Sequence, residues 1–184
     1  MASCPVYLLV SGRTSKSRGH FSIFIPNASE VNKVPSKAQP CIGTKIHVVG
    51  NPFSGFYHEF KRNDNPCGSQ SLNTVVLLGS IPSALHVELN GQKMSTDNIA
   101  LGALDAAALQ VPAPGPSDAR APVDGVLNRR CQEWTMEYVQ HLVRLGYLDS
   151  SAVQLVQDQR DPPTHGIMLR REENSSGDGS APGS

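Results

Sequence analysis

Five short runs of β-branched and aromatic residues in the first half of the chain constrain its fold more than any other feature. They cover residues 5–10, 20–25, 45–49, 55–61 and 74–78, and clusters of Gly, Pro, Asn and Ser separate them. Runs of this kind predict β-strands. Most of the connections are too short to hold a crossover helix, so the sheet is expected to be mostly antiparallel. The exception is the polar segment 26–43, which is long enough for a flap or an insertion.

The second half is predicted to supply helices that cover this sheet. The clearest pattern is a stripe of residues at spacings of three and four, formed by Cys131, Trp134, Tyr138, Leu142 and Leu145. Such a stripe is typical of an amphipathic helix. Asn128 is the predicted N-cap, and Gly146 is predicted to end the helix.

Three further elements are predicted with less support from periodicity. The Ala/Leu-rich segment 97–110 and residues 151–159 are expected to be helical, and residues 164–169 to form a last strand. The segment 172–184 contains no apolar residue larger than alanine, so it is expected to be a disordered tail. The prediction is a single α+β domain over residues 1–171, with a mostly antiparallel sheet packed against a few helices.

Length and charge exclude several classes of function. A chain of 184 residues fits one ordinary domain, and its 16 basic and 16 acidic residues give a formal net charge of zero. No long-range attraction to nucleic acid is therefore expected. The first residues lack a basic segment followed by a long apolar one, and no apolar run approaches the roughly 20 residues of a membrane span. We expect an intracellular, cytoplasmic protein.

The cysteines predict free thiols. Cys4, Cys41, Cys67 and Cys131 lie far apart with no C-x-x-C pair, a pattern unlike a disulfide framework or a zinc ribbon. No glycine-rich phosphate loop, dinucleotide fingerprint or H-E-x-x-H helix occurs in the sequence. No cofactor and no metal are predicted.

Cys131 is the strongest candidate for chemistry. It lies in the predicted first turn of the amphipathic helix, where unpaired N–H groups and the helix dipole favour a thiolate, and Arg129 and Arg130 precede it. A cysteine nucleophile needs a general base, which is usually a histidine. The alternative interpretation is that Cys131 is a small core residue, because free cysteines are commonly buried without any reactive role.

Two histidines on predicted strands are candidates to act with Cys131. His20 shares a strand face with Ser22 and Phe24, while Phe21, Ile23 and Ile25 line the opposite face. If the strands that hold His20 and His47 pair, both rings are expected to face the same helix, one as the base and the other as the group that orients it. His58 is a reserve candidate for orientation, and Gln132 is a candidate helper for the oxyanion.

The order of these residues resembles a known arrangement. The segments GHFSIFIP, GTKIHVVG and NRRCQEWTMEYVQHL resemble those of circularly permuted papain-like proteins, which include NlpC-type thiol peptidases and the lecithin retinol acyltransferase family. The resemblance implies that His20 is the base, His47 the orienting residue and Cys131 the nucleophile. The same segments, with PVYLLVS and RDPPTHG, also resemble a family of small, uncharacterised fungal proteins, which implies a shared fold without an activity.

Three functional hypotheses follow. The first is a cysteine-dependent hydrolase or acyl transferase that acts on a soluble amide, ester or thioester, either a small molecule or a peptide. The second is a non-catalytic binding or accessory protein of the same fold, in a fungal biosynthetic pathway. The third is an enzyme without a thiol nucleophile, built on groups such as His47, His58 and Glu59.

Overall fold

The computed structural model describes residues 2–89, 91 and 93–167. In chain order its strands and α-helices are β1 (Ser3–Ser11), β2 (His20–Pro26), β3 (Gly43–Asn51), β4 (Gly55–Asp64), β5 (Leu72–Pro82), β6 (Ser95–Asp97), α1 (Ala103–Leu109), α2 (Cys131–Arg144) and α3 (Ser151–Gln157). The α+β class predicted from the sequence is confirmed.

The strands form one antiparallel sheet in the order β5-β1-β2-β3-β4-β6. All five predicted strands are present, and each is longer than its apolar run. Strand β6 was not predicted, because its sequence Ser95–Asp97 is short and polar. It pairs with β4 through a tertiary contact, in which Arg62 of β4 binds the Asp97 carboxylate at 3.0 Å.

The sheet has a large apolar core on one face and a smaller one on the other. The face that carries Phe21, Ile23 and Ile25, here called the helix face, packs against α1, α2 and α3. The opposite face, here called the second face, carries Phe24 within a smaller cluster. Strand alternation, predicted from the HFSIFIP run, therefore divides β2 between two cores.

Helix α2 is the main element on the helix face. Trp134 and Tyr138 are fully buried, and their polar atoms are satisfied: Trp134 Nε1 donates to the Val111 carbonyl at 3.0 Å, and the Tyr138 hydroxyl donates to the Leu104 carbonyl at 2.9 Å. Gly146 follows the last turn with φ 72°, and the Tyr147 N–H returns to the Leu142 carbonyl. This is the predicted glycine-terminated helix end.

The predicted N-cap of α2 is wrong by two residues. The N-cap is Arg130, whose backbone N–H donates to the Glu133 carboxylate at 3.0 Å. Asn128 instead accepts a hydrogen bond from the N–H of Asp118 at 3.1 Å. Because the Asn128 side chain is engaged with the backbone of Asp118 in the loop before α2, it does not cap the helix.

Three other boundaries differ from expectation. The predicted helix 97–110 is shorter, because Gly102 is extended and α1 begins at Ala103. The predicted helix 151–159 ends at Gln157. Residues 164–166 form a turn rather than a strand, since His165 donates to the Thr14 carbonyl at 2.9 Å and holds the segment against a loop. Residues 168 and 169 of that predicted strand, and the predicted disordered tail 172–184, lie outside the described residues.

Within the residues that the structure describes, none of the helices has both the length and the apolar character needed to cross a membrane.

A buried ionic cluster joins β4, β6 and α1. The Arg62 side chain is fully buried and binds Asp97 at 3.0 Å and Asp105 at 2.8 Å, and it also donates to the Ile99 carbonyl at 2.9 Å. A buried guanidinium is tolerated only when its N–H groups are paired, so this cluster holds the edge of the sheet against α1.

Asp105→Ala is expected to lower the free energy of unfolding by about 3–5 kcal/mol, because it leaves part of the buried Arg62 charge without a partner. Guanidinium denaturation of both proteins measures the difference. Glu137→Ala is the matched control, since the Glu137 side chain is partly exposed to solvent and pairs with Arg129, and it should cost less than about 1 kcal/mol. Equal losses in the two variants would contradict this role of Asp105.

Candidate functional site

Three polar side chains on the second face form a continuous hydrogen-bonded chain. Nε2 of His20 lies 2.8 Å from Nδ1 of His47, and the two rings meet edge to face with centroids 5.0 Å apart. Nε2 of His47 lies 3.0 Å from Oε1 of Glu59. Strands β2 and β3 are paired, and the β3–β4 register sets His47 directly opposite Glu59. The two histidines therefore share a face as predicted.

The carboxylate at one end of this chain determines where the protons lie. A carboxylate only accepts, so His47 donates its Nε2–H to Glu59 and its Nδ1 is left as an acceptor. His20 then donates its Nε2–H to that nitrogen. When both rings are neutral, Nδ1 of His20 is unprotonated and carries a lone pair. Within the described residues this nitrogen makes no hydrogen bond. The arrangement presents an imidazole base with a fixed tautomer.

Both rings are held in the neutral form. Burial lowers the pKa of His20 to about 4, and the nearby Lys45 and Lys61 ammonium groups act in the same direction. Burial also lowers the pKa of His47 to about 2, with further contributions from His20 and the two lysines. A carboxylate at 3.0 Å favours a charged ring. Burial outweighs it, so the contact with Glu59 is a hydrogen bond from a neutral imidazole.

The Cys131 sulfur lies beside the start of β2. Its Sγ is 3.9 Å from the Gly19 carbonyl oxygen, and the N–H groups of Phe21 and Gln132 also interact with it. Part of the residue reaches solvent, yet burial of the sulfur raises the pKa of the Cys131 thiol to about 11. The thiol is therefore protonated in the resting protein, and the expectation of a resting thiolate is wrong because burial outweighs the effect of the helix start.

Cys131 and His20 are neighbours without being hydrogen-bonded to each other. Sγ contacts the backbone of Gly19 and Phe21, the two residues that flank His20. Within the described part of the chain, no hydrogen bond joins Sγ to the His20 ring. The expectation that both histidines face α2 is also wrong, since strand alternation places them on the second face while α2 packs on the helix face.

The Gln132 amide is held by four hydrogen bonds. Its side chain is fully buried, and its Nε2 donates to the Gly19 carbonyl at 2.8 Å and to Asp161 at 2.7 Å. Its Oε1 accepts from Arg18 and from the Asp161 N–H, each at 2.9 Å. The amide is fully used, so it holds the backbone beside His20 and has no free N–H for an oxyanion.

His58 takes no part in the histidine–carboxylate chain. Its Nε2 donates to the Val111 carbonyl at 2.9 Å, and its ring contacts Trp134 with centroids 5.7 Å apart. It therefore lies on the helix face, and the residue that holds His47 is its sequence neighbour Glu59. Pairing residues outward from the predicted β3–β4 hairpin would have found Glu59, because that register sets residue 47 against residue 59.

Sequence reasoning also missed a polar network that fixes the approach to His20. Arg18 binds the buried Glu133 carboxylate at 2.9 Å, and Arg160 binds the same carboxylate at 2.9 Å. Asp161 accepts the Gly19 N–H at 2.8 Å. These contacts tie the loop before β2, the first turn of α2 and the segment after α3 into one unit. Asp161 lies in the RDPPTHG segment, which the sequence analysis used only for the resemblance to a family of small, uncharacterised proteins.

A small polar pocket of about 70 Å³ opens beside His20 on the second face. Ser11, Ser22 and Lys45 line it together with the His20 ring. Among residues 2–89, 91 and 93–167, no group of three or more His, Cys, Asp or Glu side chains is arranged to hold a metal ion.

The fold and this site define an α+β protein whose antiparallel sheet carries helices on one face and a histidine–histidine–carboxylate chain on the other. A family model matches residues 6–149, and the chain belongs to that family, which is described as "Family of unknown function (DUF6540)". Membership of an uncharacterised family was expected and is confirmed. No curated protein matches the chain, and no solved structure matches it.

The histidine pair is expected to make the protein less stable in mild acid. An unfolded histidine titrates near 6.5, whereas folded His20 titrates at about 4, so the unfolded chain binds more protons between these values. The stabilising contribution is complete above about pH 6.5 and is lost as the pH falls towards the folded pKa, by up to about 1.4 kcal/mol per unit for each ring.

NMR titration of the His20 and His47 rings, together with denaturation at several pH values, measures this effect. The ring signals should stay those of neutral imidazole at pH 5. A ring midpoint near 6.5 would contradict the assignment of a buried neutral pair.

Proposed function

We propose that the protein is a cysteine-dependent hydrolase or acyl transferase that acts on a soluble amide, ester or thioester. Cys131 is the nucleophile, His20 the general base and His47 the residue that orients it. One observation carries the proposal: the Glu59–His47–His20 chain ends in an unpaired Nδ1 lone pair, and the Cys131 sulfur lies against the two residues that flank that ring. A nucleophile, a base and an orienting group in series are the parts that covalent catalysis needs.

In the proposed reaction, His20 Nδ1 takes the thiol proton as Sγ forms a bond to the carbonyl carbon of the substrate. The backbone N–H of Cys131, at the first position of α2, has no partner within the helix and donates to the developing oxyanion. The tetrahedral intermediate expels an amine, alcohol or thiol, which receives the proton from His20. Water or an amine then attacks the thioester, gives a proton to His20 and releases the acyl group, and His20 returns the proton to Sγ.

The pKa shifts of Cys131 and His20 determine when the thiol proton moves in the proposed reaction. A thiol pKa raised to about 11 beside an imidazole pKa lowered to about 4 makes a resting thiolate–imidazolium pair costly. Proton transfer in this proposal therefore accompanies the attack on the carbonyl carbon. It also requires Sγ to leave the Gly19 carbonyl and come within reach of His20 Nδ1.

The resemblance to permuted papain-like proteins supports the same assignment. In that arrangement the base, the orienting residue and the nucleophile follow each other along the chain as His20, His47 and Cys131 do here. We propose that the α+β fold is of this type and that the family is of fungal origin. The substrate is proposed to be a soluble small molecule or peptide, since Arg130 precedes the cysteine where the acyltransferase motif carries asparagine.

The second candidate is a non-catalytic binding or accessory protein of the same fold, serving a biosynthetic pathway. The observation that favours it is the resting state of Cys131, whose thiol is protonated and whose hydrogen-bond partner is the Gly19 carbonyl rather than His20. In this candidate the histidine chain is a structural network, and the sulfur is a packing group.

Incubation with a p-nitrophenyl ester and a small acyl thioester is expected to give a covalent acyl adduct on Cys131. Intact-mass and peptide mass spectrometry locate the adduct, and the release of p-nitrophenolate measures the rate of acylation. His20→Ala should slow acylation by roughly 10²–10⁴-fold, because the general base is lost. Cys131→Ala should abolish the adduct.

Cys4→Ala is the matched control, since Cys4 is a buried thiol on β1 that the proposed reaction does not use. It should acylate at the wild-type rate. Acylation that is equal in wild type and His20→Ala, or an adduct on a cysteine other than Cys131, would exclude the thiol mechanism and leave the binding protein.

A further inference from the structure

Arg130, the N-cap of α2, is a buried arginine without a carboxylate partner. Only 8% of its surface is exposed, and no Asp or Glu of the described residues forms an ion pair with it. Arg62, in contrast, is buried with two carboxylates bound to its guanidinium. Because a buried charge without a counter-ion is costly, the unpaired Arg130 indicates that an anion from outside the described chain binds there.

The three nitrogens of the Arg130 guanidinium differ in their surroundings. Nη2 donates to the Ala119 carbonyl at 3.3 Å, and Nε is sealed from solvent and unpaired. Nη1 also makes no hydrogen bond within the described residues, but it is not sealed from solvent. Nη1 is therefore the donor that a ligand can reach.

The charges around Arg130 do not neutralise it. The Glu133 carboxylate already binds Arg18 and Arg160, each at 2.9 Å. Burial lowers the pKa of Arg130 and the Arg18 guanidinium acts in the same direction, so two positive charges lie close together. The start of α2 adds the positive end of the helix dipole, and the Cys131 thiol lies within electrostatic range of the same guanidinium. An anion is therefore attracted to the surroundings of Cys131.

We propose that Arg130 binds a carboxylate group of the ligand that occupies the Cys131 site. The inference rests on the proposed function, because it defines the substrate as an acyl donor that also carries a free carboxylate. One carboxylate oxygen accepts from Nη1, and its charge offsets that of the guanidinium. A phosphate group, which has three acceptor oxygens and a higher charge, needs more donors than the single nitrogen that is accessible here.

Equilibrium binding to the Cys131→Ala protein tests this site without the thiol chemistry. Titration of adipate at pH 7 is expected to give saturable shifts of the amide signals of Ala119 and Gln132. The amide of Leu77, which is exposed on β5, should not move. Adipamide has the same chain without the charges, so it should bind at least roughly tenfold more weakly, as expected when a charge-assisted hydrogen bond is lost.

Substitutions in the Cys131→Ala protein identify the partner of the carboxylate. Arg130→Gln should weaken adipate binding at least roughly tenfold, and Arg130→Lys, which keeps the charge, should weaken it less. Arg129→Gln is the matched control, since it removes the neighbouring arginine, which pairs with Glu137, and it should bind adipate as the parent protein does. Amide spectra of the free variants establish that each is folded.

Acylation of the protein with Cys131 in place tests whether the carboxylate belongs to the substrate. Mono-p-nitrophenyl adipate carries a carboxylate where p-nitrophenyl hexanoate carries a methyl group. The anionic ester should acylate Cys131 at least roughly tenfold faster than the neutral one. This preference should persist in Arg129→Gln and be lost in Arg130→Gln.

The outcomes separate this inference from the proposed function. Adipamide that binds as tightly as adipate, or adipate affinity unchanged by Arg130→Gln, would overturn the carboxylate site. Equal acylation by the two esters without adipate binding would do the same and leave the thiol mechanism standing. If neither ester acylates Cys131 while adipate binding depends on Arg130, the carboxylate site is supported and the thiol mechanism is excluded.

Discussion

Strand β2 is buried on both of its faces, and the other elements are arranged around that constraint. Residues Phe21–Pro26 are all buried, so one face of the strand must be covered by helices and the other by loops and neighbouring strands. Because successive side chains alternate, Phe21 and Ile23 enter the main core while His20 and Ser22 enter a polar, confined region. The same burial keeps the histidine pair neutral.

The first turn of α2 is held against the entrance of β2 by polar contacts. The Gln132 amide binds the Gly19 carbonyl, and Asp161 binds the Gly19 N–H, so both backbone groups before His20 are fixed. A Cβ at residue 19 would come within 2.7 Å of the Val10 side chain, so glycine lets the loop pass this close to β1. The position of the Cys131 sulfur beside the Gly19 carbonyl follows from this network.

Two places on the sheet differ in how the protein handles polar groups. In the histidine chain, each internal nitrogen is paired with its neighbour or with the carboxylate. A cavity at the far end of β1 has a mainly apolar lining that includes parts of His86 and Glu88. Both lie at ends of the strands, where loops supply the remaining walls.

The sequence by itself determined the strands, their antiparallel pairing, the amphipathic α2 and the sharing of one face by His20 and His47. These features follow from local alternation and helical periodicity, which act over a few residues. It did not predict β6, which Arg62 holds through its ion pair with Asp97. It also missed the Arg130 cap, because Asn128 binds the Asp118 N–H instead of capping the helix. The short α1 was missed because Gly102 adopts an extended backbone. The choice of Glu59 over His58 as the partner of His47 depends on the exact register of the β3–β4 hairpin, since a shift of one residue reverses the strand face. Only the tertiary structure decided the thiol pKa and the cavity at the far end of β1, because burial depends on segments that are distant in the sequence.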